Sequence, residues 1–272
     1  MTEDGGYSLL KNIPNVLRAR GFRLYAEKGR RLVDLWLNGG AAILGHTPPD
    51  VLRELKNTAS RGLYAPLPHF SQNRYIKALS KLFPGYNFRL YAAPPPELET
   101  LIKDGTAGLW RPFLDSNLPF AIGDGAPPLL VPVLPGIQLW RGGLPFGLCI
   151  TAAKSEDGLA QLPAGDMLSP VLLAAAARGL YDILASPQRA KPVLPRTFKA
   201  LKMSIWRRQG IYLTLNENPS LQTWESLFIR FSEAGFLIPP TPLSPLILPG
   251  ELSDGEDAKL AVLIGESKEN SP

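Results

Sequence analysis

The sequence predicts an α/β layered fold, because short apolar runs with the character of strands alternate along the chain with helical patterns. The chain has 272 residues, of which 45% are hydrophobic and 19% charged, and its length favours about two domains. Proline is frequent, with 28 residues against an average usage of about 5%, and most prolines lie inside apolar stretches. We therefore expect short elements joined by ordered loops.

The first third of the chain predicts a β-hairpin and two helices. Strand-like runs at 22–25 and 32–36 flank a turn that contains Gly29, which is the pattern of a hairpin. Asp50 is a candidate N-cap, because the apolar residues that follow it have helical spacing. A second helix is expected over 71–82, where the apolar residues share one face.

The rest of the chain continues the alternation of strands and helices. Ser169 and Pro170 suit the N-cap and the first position of the best helical pattern in the chain. Gly235 is a candidate glycine after the end of a later helix. Strands are expected at 86–92, 118–122, 129–133, 146–152, 211–215, 236–238 and 246–248. Helices are expected at 97–103, 169–184, 196–208, 221–234 and 254–264.

Charge and cysteine content exclude several classes of protein. The net charge is +5, and the basic residues between 18 and 31 alternate with apolar ones, which indicates a solvated hairpin face rather than a nucleic-acid footprint. The single cysteine, Cys149, lies between Leu148 and Ile150, which indicates a buried thiol and fits a reducing compartment. No apolar run reaches the length of about 18 residues that a membrane span needs. A signal peptide is not apparent either, so we expect a cytoplasmic protein without membrane or nucleic-acid partners.

One segment resembles a known family. Residues 138–147 read Gln-Leu-Trp-Arg-Gly-Gly-Leu-Pro-Phe-Gly, which resembles the stretch Lys-x-x-Gly-Gly-Gly-x-Pro-x-Gly of the class III aminotransferases. In that family the lysine forms the Schiff base with pyridoxal phosphate. The aligned position here is Gln138, and a carboxamide nitrogen is not a nucleophilic amine and cannot form that imine.

Further blocks resemble the same family and occur in the same order. Residues 31–51 resemble its N-terminal signature, and residues 168–176 resemble the start of one of its helices. Residues 231–245 resemble the C-terminal strand and loop of the glutamate-1-semialdehyde aminomutase branch. The resemblance implies the fold-type-I architecture, and a homodimer with its active sites at the subunit interface.

Departures from the family concern the cofactor. Family members are longer, mainly where this chain has residues 99–136. Where the family writes Gly, Ser or Thr followed by Glu to bind phosphate, residues 92–97 read Ala-Ala-Pro-Pro-Pro-Glu. Proline has no N–H, and no hydroxyl replaces the missing donors. The phosphate-binding threonine that the family contributes across the dimer aligns near Gly165, which has no hydroxyl either.

The resemblance and the layout of elements together predict two domains with a cleft between them. We expect a reduced, three-layer large α/β domain over 46–185 and a small α+β domain built from 1–45 with 186–272. Candidate ligand-binding residues in the cleft are Asp124, Gln138 and Trp140. Asp124 is flanked by glycines and is interpreted as a turn residue, with pairing to a pyridinium nitrogen as the alternative. Trp140 either contacts a ligand or fills volume that the cofactor has vacated.

Other candidate residues have structural interpretations. Lys154 and Lys103 are the lysines that could replace the missing one, but both are interpreted as solvated. His46 and His69 are interpreted as packed or helix-capping, since neither has a partner at a metal-ligand spacing.

The sequence therefore favours a degenerate aminotransferase-like protein, without pyridoxal-phosphate catalysis, that serves as a dimeric scaffold for binding, regulation or assembly. No cofactor or metal is expected, and enzymatic activity is the less favoured outcome. Two alternatives stay open. The chain could be an active pyridoxal-phosphate aminotransferase or aminomutase with a displaced lysine, or it could be the partner subunit of a full-length aminotransferase.

Overall fold

The computed structural model describes residues 7–63, 66–104, 108–120, 128–130, 139–141 and 144–266. Within these residues, strands and helices alternate as expected for an α/β fold. The strands are β1 (Val16–Arg20), β2 (Arg23–Ala26), β3 (Arg31–Asp34), β4 (Asn87–Tyr91), β5 (Gly108–Trp110), β6 (Pro128–Leu130), β7 (Leu139–Arg141), β8 (Leu144–Phe146), β9 (Cys149–Ala153), β10 (Trp206–Gln209), β11 (Tyr212–Leu215), β12 (Phe236–Leu237) and β13 (Leu246–Ile247). The helices are α1 (Tyr7–Leu10), α2 (Pro49–Ala59), α3 (Phe70–Leu82), α4 (Pro96–Lys103), α5 (Pro170–Leu184), α6 (Pro195–Leu201), α7 (Leu221–Glu233) and α8 (Asp254–Glu266).

The strands form mixed sheets that join distant parts of the chain. One sheet has the order β1-β2-β3-β12, and β12 pairs parallel to β3 although about 200 residues separate them in sequence. A second has the order β4-β9-β6-β5, and a third the order β10-β11-β13. Strands β7 and β8 pair as a hairpin. The predicted hairpin in the N-terminal part is confirmed as β2 and β3.

Two hydrophobic clusters account for most of the buried core. The first combines residues of β3, α7 and α8, among them Val33, Phe231 and Leu260. The second is built by helices α2, α3 and α5 over the sheet of β4 and β9, and Tyr75 and Ile150 lie at its centre. Both chain ends thus share one core while the middle forms another. The proposed boundaries, 46–185 and 1–45 with 186–272, stay a prediction.

Several predicted elements are wrong in type or extent. No strand forms over the described part of 118–122, because Asp115 Oδ1 accepts hydrogen bonds from the amides of Asn117 and Leu118 and closes a turn. The helix predicted over 196–208 ends at Leu201. Trp206–Gln209 instead pairs antiparallel with β11, where the Trp206 ring is buried.

Two predicted caps are also wrong in detail. Helix α2 begins at Pro49 with Pro48 as its N-cap, so Asp50 lies inside the first turn. At that position its negative charge still interacts favourably with the positive end of the helix dipole. Ser169 occupies the N-cap position of α5, but its side chain makes no capping hydrogen bond. Gly235 follows α7 with φ +93°, as expected for a glycine that ends a helix.

No helix in the described ranges is both long enough and apolar enough to cross a membrane.

Candidate functional site

An open cavity lies where the two hydrophobic clusters meet. Its volume is about 260 Å³ including the open mouth, and its interior holds about 10 Å³ of water-accessible space, which is room for roughly one water molecule. The lining side chains are mostly apolar, apart from an arginine guanidinium and a tyrosine hydroxyl. The lining residues are Gly39, Gly40, Ile43, Trp110, Arg111, Pro112, Ile183 and Tyr212. We call this space the junction cavity.

One wall of the junction cavity is a tight turn that follows β3. The buried carboxylate of Asp34 stabilises the start of this turn, because its Oδ1 accepts hydrogen bonds of 2.8 Å from the amides of Trp36 and Leu37. Its Oδ2 contacts His46 Nε2 at 2.9 Å, so His46 is a packed histidine, as expected. The backbone then passes through left-handed conformations that include Gly40 at φ +103°, which favour glycine. Strand β7 lies against this turn.

The opposite wall is the loop that follows β5, and it is held by a tyrosine of β11. The Tyr212 hydroxyl donates a 2.7 Å hydrogen bond to the Pro112 carbonyl. The guanidinium carbon of Arg111 lies 5.5 Å from the centroid of the Tyr212 ring. The loop is therefore fixed to the strand, and Arg111 is placed beside the cavity.

Among the described residues, no opposite charge lies next to Arg111. Within the described residues, no carboxylate lies within ion-pair distance of its guanidinium, and none lines the cavity. Burial lowers the pKa of Arg111, while the nearby Tyr212 opposes that shift. A guanidinium that is desolvated without a partner is energetically unfavourable.

A second arginine, which has no counter-charge within the described part of the chain, is bonded to the backbone of Ile43. Arg189 is buried, its Nε donates to the Ile43 carbonyl at 3.0 Å, and one of its terminal nitrogens donates to the Leu248 carbonyl. Its other terminal nitrogen is buried without a hydrogen-bond partner among the described atoms. Burial lowers the pKa of Arg189 to about 10. The junction cavity thus lies in a locally positive environment.

The segment that resembles the family's phosphate site, residues 92–97, is bonded to an aspartate. The Ala92 amide donates a 2.8 Å hydrogen bond to Asp166 Oδ2. The Asp166 amide in turn donates a hydrogen bond to the Leu90 carbonyl. Helix α4 begins at Pro96 with Pro95 as its N-cap. A Cβ on Gly165 would lie 3.0 Å from the Leu90 carbonyl oxygen. The loop around Gly165 is therefore packed against β4.

Of the three cleft residues predicted from the sequence, only Trp140 belongs to a described element. Asp124 and Gln138 lie outside the described residues. Trp140 lies in β7, whose backbone runs beside the turn of Gly39 and Gly40, but its side chain is not among the described ones. Arg111 was not predicted from the sequence as a site residue. The signal that could have identified it is an arginine that lies between an apolar run and a proline.

The remaining candidates have structural roles. His69 caps α3 by accepting the Ser71 amide at 3.1 Å. Burial raises the pKa of the Cys149 thiol to about 12, so it stays protonated and unreactive at neutral pH. Lys154 is exposed. No group of three or more potential metal ligands occurs in the described part of the chain.

Comparisons with known proteins identify the fold. No protein-family model matches the chain. An uncharacterized protein of Treponema pallidum is 29% identical, over 89% of this chain and 91% of its own length. Among solved structures, the ornithine delta-aminotransferase of Plasmodium falciparum has a TM-score of 0.60 at 14% identity, over 95% of this chain and 94% of the other. An omega-transaminase from Sphaerobacter thermophilus has a TM-score of 0.62 at 11% identity, over 94% and 91%.

The described architecture is therefore the α/β fold of the class III, pyridoxal-phosphate-dependent aminotransferases. At these identities the likeness concerns the fold alone, because one fold supports many functions.

Proposed function

We propose that this chain is a protein of aminotransferase fold that does not form a Schiff base with pyridoxal phosphate and serves as a binding scaffold. The observation that carries the proposal is the hydrogen bond from the Ala92 amide to the Asp166 carboxylate. It occupies a backbone donor in the segment that, by the resemblance, would bind the cofactor's phosphate.

The residues of this segment do not fit a phosphate. A carboxylate already accepts the first available amide, and a phosphate placed there would be repelled by it. Ala93 keeps its N–H, but the three positions after it, Pro94, Pro95 and Pro96, offer no donor, since proline has no N–H. A side chain with a hydroxyl at position 165 would crowd β4, because its Cβ would lie 3.0 Å from the Leu90 carbonyl oxygen.

The second part of the argument is Gln138, which aligns with the family's lysine. The amine and the phosphate donors have unrelated chemical roles, but the loss of either one removes an interaction with the same cofactor. The likeness to the glutamate-1-semialdehyde aminomutase branch and the cytoplasmic location, which were both expected from the sequence, are part of the same proposal.

The test is covalent capture of the cofactor. Purified protein is mixed with excess pyridoxal phosphate, reduced with borohydride, and its intact mass is measured. We expect no stoichiometric adduct, only scattered labelling of surface lysines. A stoichiometric adduct on one lysine, such as Lys154, would overturn the proposal in favour of the active enzyme with a displaced lysine.

Two variants separate the two losses. Gln138→Lys restores the amine alone, and we expect no gain in stoichiometric adduct, because the phosphate site is still missing. Gln138→Lys combined with Asp166→Asn removes the competing carboxylate and should raise the yield only partly. Full and specific labelling of Gln138→Lys alone would contradict the interpretation of residues 92–96.

The homodimer implied by the resemblance is also part of the proposal. Exposed apolar side chains near the start of α5 support it: Leu63 is 82% exposed and Met167 58% exposed. Light scattering after size-exclusion chromatography should give twice the chain mass for the wild type and a lower mass for Leu63→Asp. Co-purification of a full-length aminotransferase with a monomeric chain would favour the partner-subunit alternative.

A further inference from the structure

Positive charge is concentrated in the stretch of chain that contains helix α6 and strand β10. The sequence has no aspartate or glutamate between Asp182 and Glu217. Two apolar side chains of this stretch are strongly exposed, Val193 at 84% and Met203 at 74%. The exposed basic residues around them are Lys191, Arg196, Lys199, Lys202, Arg207 and Arg208. We call these basic and apolar residues together the basic surface.

Contacts between α6 and β10 make the charges neighbours in space as well as in sequence. The guanidinium carbon of Arg208, on β10, lies 3.8 Å from the centroid of the Phe198 ring, on α6. Lys199 and Lys202 are three residues apart at the end of α6. They therefore lie on the same face of the helix, where like charges repel one another. An opposite charge from outside would relieve this repulsion.

The protein itself does not neutralise the basic surface. Among the described residues, no ion pair includes any of its side chains. Helix α8 packs against α6, but its two buried carboxylates have other partners. Glu256 pairs with Arg23 at 2.6 Å, and Asp257 accepts backbone amides at the start of α6.

Strand β10 also presents an open backbone edge. Its sheet has the order β10-β11-β13, so among the described strands β10 is paired on one side only. Gln209 and Tyr212 flank a two-residue turn, and the residues that flank such a turn bond to each other. The alternation of an antiparallel ladder then directs the N–H and C=O groups of Arg208 away from β11. An extended peptide along this edge would meet main-chain donors and acceptors.

These features favour a polypeptide partner over a nucleic acid or a membrane. Single-stranded nucleic acids stack their bases on exposed aromatic rings, but the Trp206 ring is buried and Arg208 covers the Phe198 ring. Membrane interfaces bind helices with a large apolar face, whereas the seven-residue helix α6 has no strongly exposed large apolar side chain. A peptide with carboxylates between apolar side chains matches the charges, the open edge, and the exposed Val193 and Met203.

We propose that the basic surface binds an acidic, extended segment of a partner protein, which adds a strand to β10. Its carboxylates pair with Lys199, Lys202 and Arg207, and its apolar side chains lie beside Met203. Complementary charge speeds association and selects the partner. The inference goes beyond the proposed function, because it assigns a class of partner to a defined surface and holds whether or not the chain forms a Schiff base.

The test uses a fluorescein-labelled peptide of about eight residues, within the usual length of a strand, in which Glu alternates with Val. Fluorescence anisotropy measures its binding to the full chain, and the control peptide has Gln in place of each Glu. At low salt, we expect the Glu peptide to bind at least about tenfold more tightly than the Gln peptide, the effect of several exposed ion pairs. The difference should shrink as salt screens the charges.

Variants and a modified peptide locate the contacts. Lys199→Gln combined with Lys202→Gln should weaken binding of the Glu peptide by about threefold to tenfold, the effect of two exposed ion pairs. The matched control, Lys56→Gln combined with Lys77→Gln, removes the same charge from exposed positions on α2 and α3 and should bind as the wild type does. A Glu peptide with N-methylated central amides keeps its charge but loses main-chain donors, so it should bind more weakly.

The inference would be overturned if the wild type did not bind the Glu peptide or bound both peptides equally. Undiminished binding by the Lys199→Gln, Lys202→Gln variant, or of the N-methylated peptide, would also contradict it. Tighter binding of an oligouridylate, or of phosphatidylglycerol vesicles, would assign the surface to another class of partner and overturn the proposal as well. The covalent-capture experiment is independent, since a pyridoxal-phosphate adduct contradicts the proposed function alone.

Discussion

The Tyr212 hydroxyl and the Pro112 carbonyl, 2.7 Å apart, join strand β11 to the loop after β5 at the junction cavity. Tyr212 belongs to the first hydrophobic cluster, and Pro112 is the second residue after the end of β5. The neighbouring Arg111 lies over the same tyrosine ring. The position of Arg111 beside the cavity therefore depends on a contact between segments 100 residues apart.

Removing this hydroxyl should destabilise the protein. In Tyr212→Phe, the Pro112 carbonyl loses the hydroxyl that donates to it in a buried environment, and a buried carbonyl without a donor costs about 1–3 kcal/mol in the free energy of unfolding. Urea denaturation measures the loss. Tyr25→Phe is the control, because no hydrogen bond of the Tyr25 hydroxyl occurs among the described residues; equal effects of the two changes would contradict the role given to Tyr212.

Gly210 allows the closest approach between the same two segments. Its φ is +57°, and a Cβ built on it would lie 2.0 Å from the Phe113 carbonyl oxygen. Gly210→Ala should therefore displace the loop of residues 111–114 and cost more than the roughly 1–2 kcal/mol of a left-handed alanine. Gly29→Ala is the matched control, with φ +71° and no atom within 4 Å.

Denaturation midpoints of the two glycine variants separate backbone strain from the clash. If Gly210→Ala is no less stable than Gly29→Ala, the approach of Phe113 is not tight in solution. The Nε–Hε resonance of Arg111 in ¹⁵N-labelled protein should also shift in Gly210→Ala only, because this loop carries Arg111.

Elements with strong local signals were predictable from the sequence. The hairpin of β2 and β3 has a glycine turn between two apolar runs, and α7 has both a regular apolar face and Gly235 after its end. These signals involve neighbouring residues and do not depend on the rest of the fold.

One misread element depends on distant partners. Residues 206–209 resemble the continuation of a basic helix, but Trp206 is buried against Trp224 and Phe231, which are remote in sequence. Tertiary packing overrides local propensity there. The junction cavity was missed for the same reason, since Arg111 becomes notable only when the structure reveals that no carboxylate among the described residues faces it.

Asp257 makes a second set of long-range hydrogen bonds, and their loss should lower the stability of the protein measurably. Its carboxylate, on α8, accepts the amides of Arg196 and Thr197 at 3.0 and 3.1 Å and the Thr197 hydroxyl at 2.7 Å. It thereby caps the seven-residue helix α6 from a distance of 60 residues in sequence. Asp257→Ala should cost about 1–3 kcal/mol, because it leaves buried donors without an acceptor.

Thermal and urea denaturation test the cap, with Asp104→Ala as the control at an exposed position after α4. Amide hydrogen exchange should be faster in α6 of Asp257→Ala. Unchanged exchange at Thr197 would show that another group satisfies its amide.

Glu256 should make the stability of the protein depend on pH in the acid range. Burial alone would raise the pKa of Glu256, but hydrogen bonds from Arg23 and from Ser253 outweigh it and lower the pKa from its ordinary value of 4.5 to about 2. The native state therefore favours the charged carboxylate more than the unfolded chain does. The resulting stabilisation is complete above pH 4.5 and is lost as the pH falls from 4.5 through 2.

Glu256→Gln should be less stable than the wild type at neutral pH, and its free energy of unfolding should fall less steeply between pH 4.5 and 2. The glutamine cannot form the ion pairs with Arg23 and Arg31 that tie the N-terminal hairpin to α8. Glu233→Gln changes an exposed carboxylate and should keep the slope of the wild type. Parallel pH profiles for the wild type and Glu256→Gln would mean that this carboxylate titrates normally, and that the hairpin is held to α8 by packing rather than by charge.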